Sequence, residues 1–249
     1  MLESIEIVHI AAYLGAAISV SLASVSAGYG EGYTAGLANS ALMRQPKVSD
    51  QLSRSMLVSQ AVTETGAIFS LVISLLLLFG GVDRGSLGIV RASSLLSAGI
   101  AMGLGSVGPG FGSGYTGGYA CMALSRMPKR HNEITGNMLI GQALAQASSI
   151  FALVVALLLI YAIPAFDNLN LTQQIIRAVA YLGAGLCIGF GTLGPGSAIG
   201  YVAGRASDMI GRYPRQRTLT MRTMFVGAAV SESTAIYSLV IAFLLMYAL

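Results

Sequence analysis

The stretch ASSLLSAGIAMGLGSVGPGFGSGYTGGYACMALS, residues 92–125, carries no charged side chain. It is well over the roughly 20 residues an α-helix needs to cross a hydrocarbon core of about 30 Å. It is too long for a strand and does not alternate. Only helices and closed barrels satisfy their own backbone in lipid, so this run reads as a transmembrane helix. Working outward, Glu64 is the only charge in residues 55–82, and Glu232 the only one in 223–249. Of the 249 residues, 55% are apolar and 10% charged, and mean hydropathy is +0.73. A soluble domain carries roughly 25% charge. Disorder, coiled coil and a disulfide scaffold are excluded, which leaves an all-α integral membrane protein. Cys121 and Cys187 sit in apolar runs outside any CxxC or Cys/His pattern and read as small buried hydrophobes. The acidic start (Glu3, Glu6) is unlike the basic opening of a cleaved signal peptide.

The chain repeats itself. A shift of 82 residues places Gly32-Tyr33-Thr34 on Gly114-Tyr115-Thr116, Arg44 and Pro46 on Arg126 and Pro128, and Gln60-Ala61 on Gln142-Ala143. A shift of 168 continues the series with Gly200-Tyr201, Arg212, Pro214 and Ile236-Tyr237. The units are residues 1–82, 83–166 and 167–249. Each holds a Gly/Ala/Ser-rich run, an Arg-x-Pro turn and a second run rich in Leu, Val and Ile. This predicts six transmembrane helices in three tandem hairpins, spanning about 6–43, 54–81, 90–125, 135–163, 174–210 and 220–248. Pro46, Pro128 and Pro214 fall just past the first helix of each pair.

Basic residues mark one side. Arg44, Lys47, Arg54, Arg126, Lys129, Arg130, Arg205, Arg212, Arg215, Arg217 and Arg222 cluster at the three turns. The other side has only Arg84, Arg91 and Arg177, beside Glu3, Glu6, Asp83 and Asp167. The turns are expected in the cytoplasm and both termini opposite. The net charge of +4 is therefore a topology signal and no nucleic-acid patch.

The glycines lie mid-span, without the strand-to-helix context of a phosphate loop. In membranes they let helix backbones approach closely. The first helices are expected as an inner layer and the second helices as an outer one. Unit three resembles unit one, so the ends of such an arc propagate head to tail until a homo-oligomeric, two-layered ring closes. Pro109 and Pro195 fall inside inner helices, where unit one has Ala27.

Glu64 lies about ten residues, or roughly 15 Å, into its span, near the bilayer midplane. Glu232 is its equivalent in unit three, whereas unit two has Gln146. Ionisable groups at that depth mark ion or proton paths. The amide keeps the shape but cannot take up a charge, so hairpin 2 reads as packing-competent and as a lost site. Glu31, with equivalents Ser113 and Ile199, can share a site with Glu64 or Glu232 and hold a proton and a cation together. Thr65 follows Glu64, and Ser233, Thr234 and Tyr237 follow Glu232. These hydroxyls are oxygen ligands that favour Na+; a proton needs only the carboxylate and one acceptor. Na+ is accordingly placed at Glu31, Glu64, Glu232 and Ser233, with H+ as the open alternative.

These features resemble the c subunit, or proteolipid, of rotary ATP synthases and ATPases. The Gly-rich Gly28-Tyr29-Gly30-Glu31-Gly32-Tyr33, the turn Arg44-Gln45-Pro46 and the mid-membrane Glu64 carry the likeness, which recurs three times along the chain. The intact Arg-Gln-Pro points to the F-type branch. Sodium-coupled members resemble Glu232-Ser233-Thr234 with Tyr237. The resemblance implies a non-catalytic rotor-ring subunit with no cofactor, carrying Na+ or H+ on its carboxylates. It implies sites between neighbouring hairpins, with Glu31 meeting Ser233 across a chain–chain junction. It implies as partners other copies of the chain, an a subunit with a stator arginine, lipid, and central-stalk subunits gripping the turns at Arg44, Gln45, Pro46, Arg126, Pro128, Arg212 and Pro214. A bacterial cytoplasmic membrane is the expected location. From other classes stand an autonomous cation channel or secondary transporter using the same carboxylates, and a scaffold without ion chemistry.

Overall fold

The computed structural model describes residues 4–80, 88–163 and 169–247. The unit boundaries at 82–83 and 166–167 lie outside these residues, as do Glu3, Asp83, Arg84 and Asp167. The described residues are almost entirely helical. The helices are α1 (Ser4–Arg44), α2 (Ser49–Thr63), α3 (Thr65–Phe79), α4 (Gly88–Arg126), α5 (His131–Tyr161), α6 (Leu171–Arg212) and α7 (Arg217–Tyr247). α2 and α3 are one span interrupted at Glu64, so six helices are long and apolar enough to cross a membrane.

The three turns are built alike. The residue before proline (Gln45, Met127 or Tyr213) leaves the helical region, at φ −144° and ψ 74° for Gln45. The proline then opens a single 3₁₀ turn that runs straight into the next helix. Proline has no N–H to lose in a first turn, which makes it a good opener. For this reason α2, α5 and α7 begin at residues 49, 131 and 217, several residues before the apolar runs at 54, 135 and 220. Hydropathy marks where lipid begins, and the helix begins at the proline. α6 likewise starts three residues early, at Leu171, where Asn170 and Gln173 form a capping box.

α4 packs between α1 and α6, forming one row of first helices. The α2–α3 span lies over the groove between α1 and α4, and α5 over the groove between α4 and α6. α7 packs on α6 and touches α5. The row is tight because it lacks side chains. A methyl on Gly103 would fall 2.8 Å from the Ile18 carbonyl oxygen, and Gly200 packs directly on Gly112. Equivalent hydroxyls tie the row together: Thr34 donates to the Gly114 carbonyl at 3.1 Å and Thr116 to that of Gly200 at 2.9 Å. α4 and α6 run through Pro109 and Pro195 unbroken. The outer face carries exposed Leu71, Leu75, Val226 and Ile241. Cys121 and Cys187 are both free thiols, the first buried.

The two flanks of the chain differ from its interior. Gly110, Gly114, Gly196 and Gly200 press on neighbouring helices, but their unit-one equivalents Gly28 and Gly32 face open space within 4 Å. On the far flank Gly194, the equivalent of the covered Gly108, is open as well.

Candidate functional site

Gln146 sits on α5 at the junction of hairpins 1 and 2 and is 5% exposed. Its Nε2 donates to the Val62 carbonyl of hairpin 1 at 3.3 Å and to the Ser113 hydroxyl of α4 at 3.1 Å. Its Oε1 accepts from Ser149 at 3.1 Å. One turn earlier, Gln142 donates to the Ser113 carbonyl at 3.0 Å and to Ser59 of hairpin 1, Oγ at 2.8 Å and carbonyl at 3.1 Å. The site residue of hairpin 2 is thus closed by two neighbours. One is its own first helix, at the position equivalent to Glu31. The other is the outer helix of the preceding hairpin, two residues before Glu64.

Glu64 occupies the same position in hairpin 1, whose far side has no preceding hairpin. It lines an open cleft with Glu31, Val20, Ser24, Ala27, Gly28, Ala67, Ile68 and Leu71. The structure therefore brings Glu31 to Glu64. Gln60, equivalent to Gln142, donates to the Glu31 carbonyl at 3.2 Å and holds α1 to α2 at this depth. Glu64 is also the single-residue interruption between α2 and α3, at φ −66° and ψ −17°. The equivalent Gln146 and Glu232 lie inside unbroken helices.

Glu232 is half-buried. It lies between Ala228 and Ala235, 2% and 0% exposed, on the face that α7 turns inward. Ile199 of α6, fully buried, clusters there with Ala145, Ala228 and Leu144. Glu232 makes no hydrogen bond among the described residues. Ser233 and Thr234 donate to the carbonyls of Val230 at 2.7 Å and Ser231 at 2.8 Å in their own helix. Tyr237 is 67% exposed, whereas its equivalents Phe69 and Phe151 pack against the large hydrophobic cluster. Within one chain, then, Ser233 and Glu31 lie on opposite flanks, and Glu232 is not brought to Glu31. No group of three His, Cys, Asp or Glu side chains converges among the described residues. Thr65 follows the interruption, half-buried.

At the turns, Arg44 and Pro46 are exposed and Gln45 is half-buried. The second and third turns are joined by ion pairs that the basic-residue pattern does not announce. Asp208, 1% exposed, pairs with Arg126 of hairpin 2 and with Arg212 at 3.0 Å, with Arg205 at 3.8 Å. Glu133 pairs with Arg130 at 2.9 Å and Arg217 at 3.7 Å. The equivalents of Asp208 are Ser40 and Met122, and among the described residues the first turn has no such clamp. Pro128 and Pro214 are half-buried beside it.

Comparison with known proteins yields the same periodicity. The model of the ATP synthase C subunit family matches residues 14–77, 96–159 and 182–245. The chain is 39% identical over 77 residues to the ATP synthase c subunit of Petrotoga mobilis, covering 31% of this chain and 80% of the relative. It is 45% identical over 76 residues to that of a Synechococcus species, covering 30% and 94%. It is 43% identical over 76 residues to the chloroplastic ATP synthase c subunit of Tetradesmus obliquus, covering 30% and 93%.

Proposed function

The chain belongs to the ATP synthase C subunit family, and we propose from that premise how its three hairpins carry ions. As a c subunit it is a non-catalytic integral membrane subunit of an ATP synthase, part of its c ring. In our reading copies of the chain close head to tail, and Glu64 and Glu232 bind and release an ion as the ring turns. An occupied carboxylate is neutral and crosses lipid, and an empty one is too costly to expose there. It therefore discharges at a stator arginine of an a subunit. The basic turns lie in the cytoplasm and grip the central stalk; both termini lie opposite, in a bacterial cytoplasmic membrane.

The observation that carries this reading is the difference between the closed junction at Gln146 and the open cleft at Glu64. Hairpin 1 closes the Gln146 site by packing its outer helix across it. The α6–α7 flank of a second copy, applied in the same way, covers Gly28 and Gly32 and brings the Val230 carbonyl, Ser233 and Tyr237 over Glu64 and Glu31. That supplies two carboxylates, a carbonyl and hydroxyls, which favours Na+ over H+ at this junction. By the same equivalence Thr65 belongs to the Gln146 junction, and Thr234 stands outside the shell.

The test is the mass of the detergent-extracted protein with its transport. An oligomer at an integral multiple of 25.7 kDa, coupling cations to ATP turnover in the assembled complex, is the expected result. A compact monomer that exchanges cations by itself would refute the rotor and favour a transporter.

A further inference from the structure

The geometry points to Ile199 as a specificity determinant: the Glu232 junction takes no Na+, so one chain carries two unlike ion sites. This rests on the carboxylate reading above. The Gln146 junction defines the positions that surround a bound ion. One is the residue equivalent to Glu31 on the unit's own first helix. Another is the carbonyl two residues before the preceding unit's site residue; the side chain just after that residue, Ser233 in the chain-end site proposed above, is the third.

At the Glu232 junction these positions hold Ile199, the Leu144 carbonyl and Ala147. Ile199 is fully buried in a cluster with Ala145, Ala228 and Leu144. A sec-butyl group thus stands where the chain-end site has a second carboxylate, and a methyl where that site has a hydroxyl. The buried Ser148 on α5 is equivalent to Thr234, which stands outside the shell, and donates to its own Ala145 carbonyl at 2.9 Å.

A dehydrated alkali cation needs several oxygens in place of its hydration shell. The Glu232 junction offers one carboxylate and one carbonyl. A carboxyl that carries its own hydrogen needs a single acceptor, and the Leu144 carbonyl provides one, as the Val62 carbonyl does for the Gln146 amide. The proton is the cargo left to Glu232.

The experiment is site-resolved carbodiimide modification of the intact complex at one fixed pH, with Na+ added and an equal concentration of choline as control. Peptide mass spectrometry reads Glu64 and Glu232 separately. Na+ at ten times its half-protecting concentration should slow modification of Glu64 about tenfold and leave Glu232 unchanged. Equal shielding of both would overturn the inference and leave the carboxylate reading standing. Shielding of neither would overturn it too, because the two sites would then be alike. Modification of neither sinks the carboxylate reading and the inference with it. In the assembled Ile199→Gln variant, Glu232 should come under Na+ protection; continued insensitivity would show that Ile199 is not the determinant.

Discussion

Gln146→Glu turns the silent hairpin into a third ion carrier, and its energetics follow from three bonds. The amide donates to Val62 at 3.3 Å and Ser113 at 3.1 Å and accepts from Ser149 at 3.1 Å. A neutral carboxyl has one donor where the amide has two. One interhelical bond in a membrane averages about 0.6 kcal/mol, so the occupied variant loses about that much and still assembles. An unoccupied carboxylate at 5% exposure costs several kcal/mol, so the site fills. Three carriers per chain then replace two, and ions per turn rise by about one half whatever the number of chains in the ring. The electrical work per ATP scales with the charges moved, so the potential at which hydrolysis reverses to synthesis should fall to about two-thirds of the wild-type value. The assay is the reversal potential of the complex reconstituted in vesicles. An unchanged reversal potential, in a variant whose introduced carboxyl is modified by carbodiimide in the assembled complex, would refute the count of working carboxylates.

Gly32→Ala places a methyl where a single chain has open space within 4 Å and where the equivalent Gly114 is pressed against Gly30. It should leave the chain folded and abolish the expected oligomer, as read by native mass spectrometry; an intact oligomer would rule out docking by the internal pattern. Asp208→Ala removes the acceptor shared by Arg126 and Arg212. Because those arginines are 26% and 49% exposed and can rehydrate, the loss should be about 2 kcal/mol, read as a lower melting temperature. Melting at the wild-type temperature would show that the clamp contributes nothing. The double variant Glu64→Gln, Glu232→Gln should assemble and transport no cation; transport still coupled to ATP turnover would end the carrier reading.

The spans, the triplication and the inner row were legible because their causes are local. A run such as 92–125 declares itself by its length without charge, and a glycine stripe needs no partner to be recognised. The helix starts were less legible, since Pro46, Pro128 and Pro214 begin helices whose first residues are polar. Gln60 and Gln142 stood out only as repeat markers. Their role in fastening α1 and α4 to the outer helices depends on packing that no spacing reveals. Asp208 was missed because comparing repeats rewards what recurs, and its equivalents Ser40 and Met122 do not resemble it. The available signal was an acid four residues before Arg212, among basic residues, that only one unit carries. The grouping of Glu31 with Glu64, against the separation of Glu31 from Ser233 within a chain, needed the row order α1, α4, α6.

Fusion explains why such differences can persist. In a ring of identical single hairpins every junction is the same, so any substitution repeats around the whole circle. Three fused hairpins make three kinds of junction, each with its own pair at the equivalent positions: Glu31 with Glu64, Ser113 with Gln146, Ile199 with Glu232. The pairs do not exchange freely. A glutamine at 232 would turn its amide toward Ile199 and lose the hydroxyl acceptor that Ser113 gives Gln146, leaving a half-buried donor unmet. A carboxylate at 113 would accept from the Gln146 amide where the Ser113 hydroxyl does, but it would bury a charge with no cation to pair it. The silent hairpin is stable as it is because its amide meets oxygens from both neighbours, and that holds only at the junction where Ser113 and Val62 stand.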